Sequence, residues 1–139
     1  MVHFPRFLYD EMITHCQQGY PLEACGILSG LPVGRIGQGG EVEKVYRMKN
    51  VDKSAVSYSM DSKELLLVTK AIRQQAKEMV GIFHSHVASE AYPSQTDVNL
   101  AFYPEVSYVI ISLKDRKRPV AKGYRIVNGK ITPDVLKLE

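Results

Sequence analysis

Two histidines separated by one residue, His84 and His86, and an aspartate further along, Asp97, are the side chains of this chain best suited to hold a metal ion. In an extended strand, residues i and i+2 project from the same face, so His84 and His86 would present their imidazoles side by side while Ser85 points the other way. A carboxylate arriving from a nearby helix would complete three ligands and leave a fourth position open. That is the arrangement of a catalytic zinc, with ligand bonds of about 2.0–2.2 Å. A water in the open position has its pKa lowered to about 7, which generates hydroxide at neutral pH. Each residue also has a plainer role. A lone histidine is most often solvated or satisfied in a core. Ser94-x-x-Asp97 before Val98, Leu100 and Ala101 is a capping box for a short helix ending near Pro104. The cap does not exclude ligation, because Ser94 would bond backbone while an aspartate in the first turn can still face the strand.

Other metal patterns fail on spacing. The helical His-Glu-x-x-His is absent, and His-x-His-x-Asp-His would need Asp and His where the chain has Ala88 and Ser89. Zinc deaminases need a Pro-Cys-x-x-Cys, whereas Cys16 and Cys25 are separated by eight residues and lie in the wrong half of the chain. A TIM-barrel site would need about 250 residues.

The elements that must position these residues can be read from periodicity and punctuation. Pro5 with Leu8, Met12 and His15 or Cys16 at helical spacing, stopped by Gly19 and Pro21, predicts a first helix over residues 5–18. Residues 25–29 read as a short buried strand, and Gly30 to Gly40 as a flexible connection to the alternating segment 41–48. Residues 57–60 suggest another strand. Asp61 and Glu64 form a capping pair for a helix whose Leu65, Val68, Ile72, Ala76 and Met79 share one face. Residues 80–86 and 106–113 read as buried strands, and Asn128-Gly129 joins residues 121–127 to 130–132 as a hairpin. Helices before and between runs of strands give an α+β, sheet-and-helix domain.

Composition sets the outer bounds. The chain has 139 residues, 45% hydrophobic and 24% charged, the profile of one globular domain over 1–139. No apolar run approaches the roughly 20 residues of a membrane span. The first residues carry charges and no small-residue cleavage site, so no signal peptide is expected. Two cysteines make no disulfide framework and read as packing residues, which points to a cytoplasmic protein. Eighteen basic against fifteen acidic residues give +3, too mild to argue for nucleic acid. The basic run Lys114–Arg118 is interrupted by Asp115 and has no interleaved aromatics, so it reads as a solvated turn, with docking of an acidic protein as the alternative.

His84-Ser85-His86, seven residues, Ser94, two residues and Asp97 together resemble the JAMM motif of the MPN-plus (Mov34/PAD-1) metalloproteases. The segment Tyr20-Pro21-Leu22-Glu23-Ala24-Cys25-Gly26-Ile27-Leu28, with a glutamate just before Cys-Gly and an apolar strand, is similar as well. So are Ala91-Tyr92-Pro93-Ser94 and Met60-Asp61 before Glu64-Leu65; the resemblance spans residues 5–130. One departure is Val87, where the family usually has proline.

The resemblance implies a three-layer, cytidine-deaminase-like MPN fold with a central mixed β-sheet flanked by helices. It implies one Zn2+ held by His84, His86 and Asp97, with Glu23 as general base and Ser94 as a hydrogen-bond donor to the tetrahedral oxyanion. Spacing alone does not select Glu23 over Glu11 or Glu90. With only eight residues between Asp97 and the strand expected from Val106, the chain looks like the compact bacterial or archaeal members. The implied reaction is hydrolysis of a peptide or isopeptide bond beside the C-terminal tail of a ubiquitin-like or sulfur carrier protein, a tail that could add as a strand to a sheet edge. Neither nucleic acid nor membrane is implied as a partner, and frequent self-association in the family leaves a homodimer open. Two alternatives stand beside this. One is a non-catalytic MPN scaffold, whose members usually lose a ligand; the other is a zinc amidohydrolase acting on a small molecule.

Overall fold

The computed structural model describes residues 1–32 and 40–139. The strand that carries the two histidines, β4 (Glu78–His86), is buried along its last seven residues. It owes this to its place between β2 (Cys25–Pro32), antiparallel, and β5 (Ser107–Ser112), parallel. β3 (Gly40–Met48) extends the sheet beyond β2, and β6 (Val120–Val127) and β7 (Lys130–Asp134) extend it beyond β5. Two short strands, β1 (Val2–Phe4) and β8 (Leu136–Leu138), complete an eight-stranded mixed sheet among the described residues, in the order β7-β6-β5-β4-β2-β3-β1-β8. Only Val135 separates β7 from β8, which stand at opposite ends of that order. The sheet therefore curls until its two margins meet, where the Val2 N–H bonds the Val135 carbonyl at 2.8 Å.

Helices cover both faces. α1 (Arg6–Gly19) buries Leu8, Met12 and Cys16, one residue per turn, against Leu28, Phe83, Val109 and Ile111. On the opposite face, α2 (Ser62–Gln74) packs Ile72, with Leu65 and Val68, against Cys25 and Ile27. The short α3 (Gln95–Asn99) contributes Val98 to a cluster with Ile82, Tyr108 and Ile110. The expected sheet flanked by helices is the architecture found, and the chain is α+β.

Apart from β1 and β8, which the sequence reading did not anticipate, and the segment 57–60, the differences from that reading lie at element ends. α2 stops at Gln74 because Ala76 takes a left-handed conformation with φ of 57°, so Met79 belongs to β4. Its place on the helical face was an accident of period: strand and helix deliver residues to the same core. The strand expected over 57–60 is reduced to an isolated bridge between Asn50 and Met60. β2 runs past residue 29 to Pro32. Of the glycine-rich connection, residues 33–39 lie outside the described residues, while Gly30 belongs to β2 and Gly40 to β3. α3 ends at Asn99, short of Pro104. The hairpin turn is as expected, with φ of 51° at Asn128 and 77° at Gly129, the left-handed pair of a type I′ turn. Among the described residues no helix is long and apolar enough to cross a membrane.

Gly26 marks a tight place behind the histidines. A Cβ there would stand 2.2 Å from the Phe83 ring and 2.5 Å from the Tyr46 carbonyl oxygen. Phe83 immediately precedes His84, so this contact sets how deeply β4 sits. Gly26→Ala is expected to cost about 1–3 kcal/mol by overpacking, read as a fall in the denaturation midpoint; an unchanged midpoint would show that Phe83 repacks freely.

Candidate metal centre

The alternation of β4 sorts its polar residues. Ile82, His84 and His86 face the α2–α3 side, while Phe83 and Ser85 face α1. Ser85 is used on that second face: its hydroxyl accepts the Ala24 N–H at 2.9 Å, and its own N–H bonds the Ala24 carbonyl at 3.0 Å. The backbone just before β2 is thereby fastened to the strand that carries the histidines. Glu23 is next to that anchor. Its own backbone is held by its N–H to the Ser54 carbonyl at 2.8 Å and by Asn50 Nδ2 donating to its carbonyl at 2.9 Å.

Asp97 comes from the first turn of α3. The capping box is formed in full: the Asp97 N–H donates to Ser94 Oγ at 3.1 Å, and the Ser94 N–H donates to Asp97 Oδ2 at 2.9 Å. This does not turn Asp97 away from the strand. Its Oδ1 lies 3.1 Å from His84 Nε2 and its Oδ2 lies 3.0 Å from His86 Nε2, and the two Nε2 atoms are 3.2 Å apart. Among the described residues these three form the one group of His, Cys, Asp or Glu side chains whose donor atoms all lie within 4.8 Å of one another.

The donor chemistry fits a cation. His86 Nδ1 is 2.8 Å from the Glu90 carbonyl oxygen, which can only accept, so the proton of a neutral ring sits on Nδ1. The Nε2 lone pair then faces the Asp97 carboxylate at 3.0 Å. Two acceptors at that distance repel unless a proton or a metal ion lies between them. The His84 ring is enclosed as well, stacked on Tyr58 with centroids 4.6 Å apart and planes at 25°. Its Nδ1 is buried without a hydrogen-bond partner.

Titration follows from the same contacts. Burial by itself would raise the Asp97 pKa, but hydrogen bonds from His84 and His86, their charge and the Ser94 N–H hold it well below the usual carboxylate range. Burial lowers His84, against the pull of Asp97. For His86 burial also lowers, yet the bonds to Asp97 and the Glu90 carbonyl and the charges of Asp97 and Glu23 outweigh it, and its pKa is raised. Burial pushes Glu23 up to about 7; His86 opposes this, and the Asp97 and Asp52 charges reinforce it.

The residues singled out in the sequence thus fall in one place, apart from the exposed basic run, which forms the β5–β6 connection. Tyr92 is exposed, its ring edge-on to Tyr124 at 5.5 Å. Val87 leaves no loop unsupported: the turn after β4 is held by the His86–Glu90 bond and by Ser112 Oγ donating to the Ser89 carbonyl at 2.6 Å. Tyr58 and Asn50 escaped the sequence reading. The signal for Asn50 was faint, an asparagine beside Val51-Asp52 whose side chain organises a loop. Tyr58 gave none.

Comparison with known proteins agrees with the geometry. Residues 5–126 match the family described as prokaryotic homologues of the JAB domain. The CysO-cysteine peptidase of Mycobacterium tuberculosis is 40% identical over 127 residues, covering 91% of this chain and 84% of that protein. The desampylase of Haloferax volcanii is 32% identical over 108 residues, 74% of each chain. The solution structure of a Desulfitobacterium hafniense protein superposes with a TM-score of 0.89 at 38% identity, covering 100% of this chain and 93% of that one.

The raised Glu23 has a measurable consequence. In the metal-free protein its carboxyl carbon is expected to titrate by NMR about pH 7, against 4.5 for an ordinary glutamate. The folded state then keeps a proton that the unfolded chain releases, so this group makes the metal-free protein less stable as pH rises from about 4.5 to 7. A midpoint near 4.5 would show that the carboxyl is effectively solvated.

Proposed function

The chain belongs to the prokaryotic JAB-domain family of JAMM-type hydrolases, and from that premise we propose that it is a zinc metallopeptidase cutting the bond that follows the C-terminal tail of a ubiquitin-like or sulfur carrier protein. The observation that carries this reading is the convergence of three neutral-or-anionic donors beside a buried carboxyl group of raised pKa. Relatives that share the family are named CysO-cysteine peptidase and desampylase.

His84, His86 and Asp97 would hold the metal. When bound, zinc polarises the scissile carbonyl and acidifies water. Glu23 takes a proton from the attacking water as its oxygen bonds to the carbonyl carbon, and delivers that proton to the leaving nitrogen as the C–N bond breaks. Burial raises its pKa, which suits a carboxyl that must take up a proton and give it back. A nearby dication lowers that pKa, so the loaded enzyme has more Glu23 in its basic form at neutral pH. The Ser94 oxygen already accepts from the Asp97 N–H, which leaves its O–H to donate to the oxygen of the tetrahedral carbon.

An open groove suits the carrier's tail. A cavity of about 420 Å³, lined by Tyr58, Met60, Leu65, Leu100, Phe102 and Tyr103 among others, runs up to the ring stacked on His84. Leu100 and Phe102 are 52% and 72% exposed at its rim, apolar surface available to an extended peptide. The two free, buried cysteines, Cys16 and Cys25, suit a reducing compartment, and we place the protein in the cytoplasm. No feature of the site favours a non-catalytic scaffold.

Two variants separate ligand from base. Elemental mass spectrometry should find about one zinc per wild-type chain and little in His86→Ala. Glu23→Gln should keep its zinc and fold while turnover of a carrier conjugate falls by about 100-fold or more. Normal turnover in Glu23→Gln would remove Glu23 from the mechanism. Wild type that stays folded and takes up no zinc would retire the metallopeptidase reading altogether.

A further inference from the structure

A second cavity, of about 630 Å³, shares the segment around Glu90 with the metal centre and has no lining residue in common with the apolar groove. That shared wall is the segment 89–92. On one side the Glu90 carbonyl holds His86 Nδ1; on the other, Glu90 and Tyr92 line the cavity. The segment is fastened to the sheet beneath by Ser112 to the Ser89 carbonyl and by the Tyr124 hydroxyl to the Ala91 carbonyl. Opposite stand Lys114, Arg118 and Lys122. Strand register gives the scale: His84 pairs with Ile110, and Ile110 with Lys122, so Lys122 is on the same face two strands from the metal ligand. At about 4.8 Å per strand, the Lys122 backbone stands about 10 Å from that of His84.

These cations are poorly neutralised. Lys114 faces Glu90 at 3.9 Å, both strongly exposed, and Asp115 accepts the Lys117 N–H. Among the described residues no carboxylate forms an ion pair with Arg118 or Lys122. The volume suits an amino acid or a short peptide and is too small for a folded protein surface. The Tyr92–Tyr124 pair adds an aromatic wall for a side chain.

We propose that this cavity receives the leaving group, and that Arg118 and Lys122 recognise its free α-carboxylate, so that the preferred substrate is a carrier tail joined to a single amino acid. The proposal rests on the peptidase reading and narrows it: a lysine side chain inside a protein presents no carboxylate at that distance from the cut nitrogen. Charge-assisted bonds to a carboxylate, two-pronged from arginine, supply the selectivity. Glu90, on the wall nearest the metal, suits the ammonium group that the leaving amino acid acquires once released.

The test has a binding arm and a kinetic arm. The full chain, stripped of metal so that no carboxylate binds at the centre itself, is titrated with N-acetyl-L-alanine and with N-acetyl-L-alaninamide under two-dimensional NMR. The acid should shift the backbone amides of residues 114–122 and the amide should not. The exposed double substitution Arg118→Ala/Lys122→Ala should abolish those shifts while leaving the rest of the spectrum in place. In the kinetic arm, zinc-loaded protein is given mycobacterial CysO joined to cysteine or to cysteine amide. KM should be roughly tenfold lower for the acid, as one such interaction predicts, and the double substitution should erase the preference. Equal shifts from acid and amide, or equal KM values, would overturn the proposal while leaving the peptidase reading intact. A rise in KM for both conjugates alike on substitution would also overturn it, placing the cations against an acidic face of the carrier. Carboxylate-dependent shifts with neither conjugate cut would uphold the carboxylate site and remove the peptidase reading.

Discussion

Three polar donors gathered within about 3 Å of one another at the buried end of a sheet are the constraint on which the rest of this structure depends. Such a cluster repels itself unless a positive charge occupies its middle, and burial makes each group harder to leave unpaired. The surroundings answer this from every side. A backbone carbonyl fixes the His86 ring, a backbone N–H steadies the Asp97 carboxylate, and Tyr58 covers the His84 ring. Supports of this kind fix the donor atoms in advance, so the cost of ordering them is met during folding.

The sheet supplies the precision. In a strand paired on both sides, each side chain has one direction, and β4 uses both of its faces: histidines toward the centre, Ser85 toward the Ala24 backbone. The Ser85 contact ties the segment holding Glu23 to the strand holding the two histidines. A slip of one residue in β4 would turn both histidines into the α1 core and bring Phe83 and Ser85 to the site. The close fit of Phe83 over Gly26 resists that slip, so a packing contact on one face guards the chemistry on the other.

How far this could be read in advance depends on how local each signal is. The His84/His86 pair follows from strand period alone, and the Ser94–Asp97 box from four consecutive residues, so both were legible. Glu23 was not selected by spacing; resemblance singled it out, because its place is set by β2–β4 pairing and by loop residues Ser54 and Asn50. β1 and β8 are three residues each and pair in parallel with partners distant in sequence, which leaves no periodic trace. Tyr58 stands in a segment that read as a strand and instead forms an irregular cover over the site. The capping box is the instructive case, since its structural reading and its functional one hold together: the same carboxylate closes a helix and faces two imidazoles.

Two carboxylates beside one centre are driven in opposite directions. Asp97, in contact with both histidines and a backbone N–H, is held ionised and suits permanent ligation. Glu23 is buried at the edge of the cluster, where desolvation outweighs the attraction of His86, and it is held where a proton can come and go. Opposed environments of this kind assign roles to chemically similar groups. Exchanging the two would give a protonated ligand and a base too weak to accept a proton. The division of labour therefore resides in what touches each carboxylate, and the strand pairings and the helix cap that place them are as much a part of the chemistry as the side chains themselves.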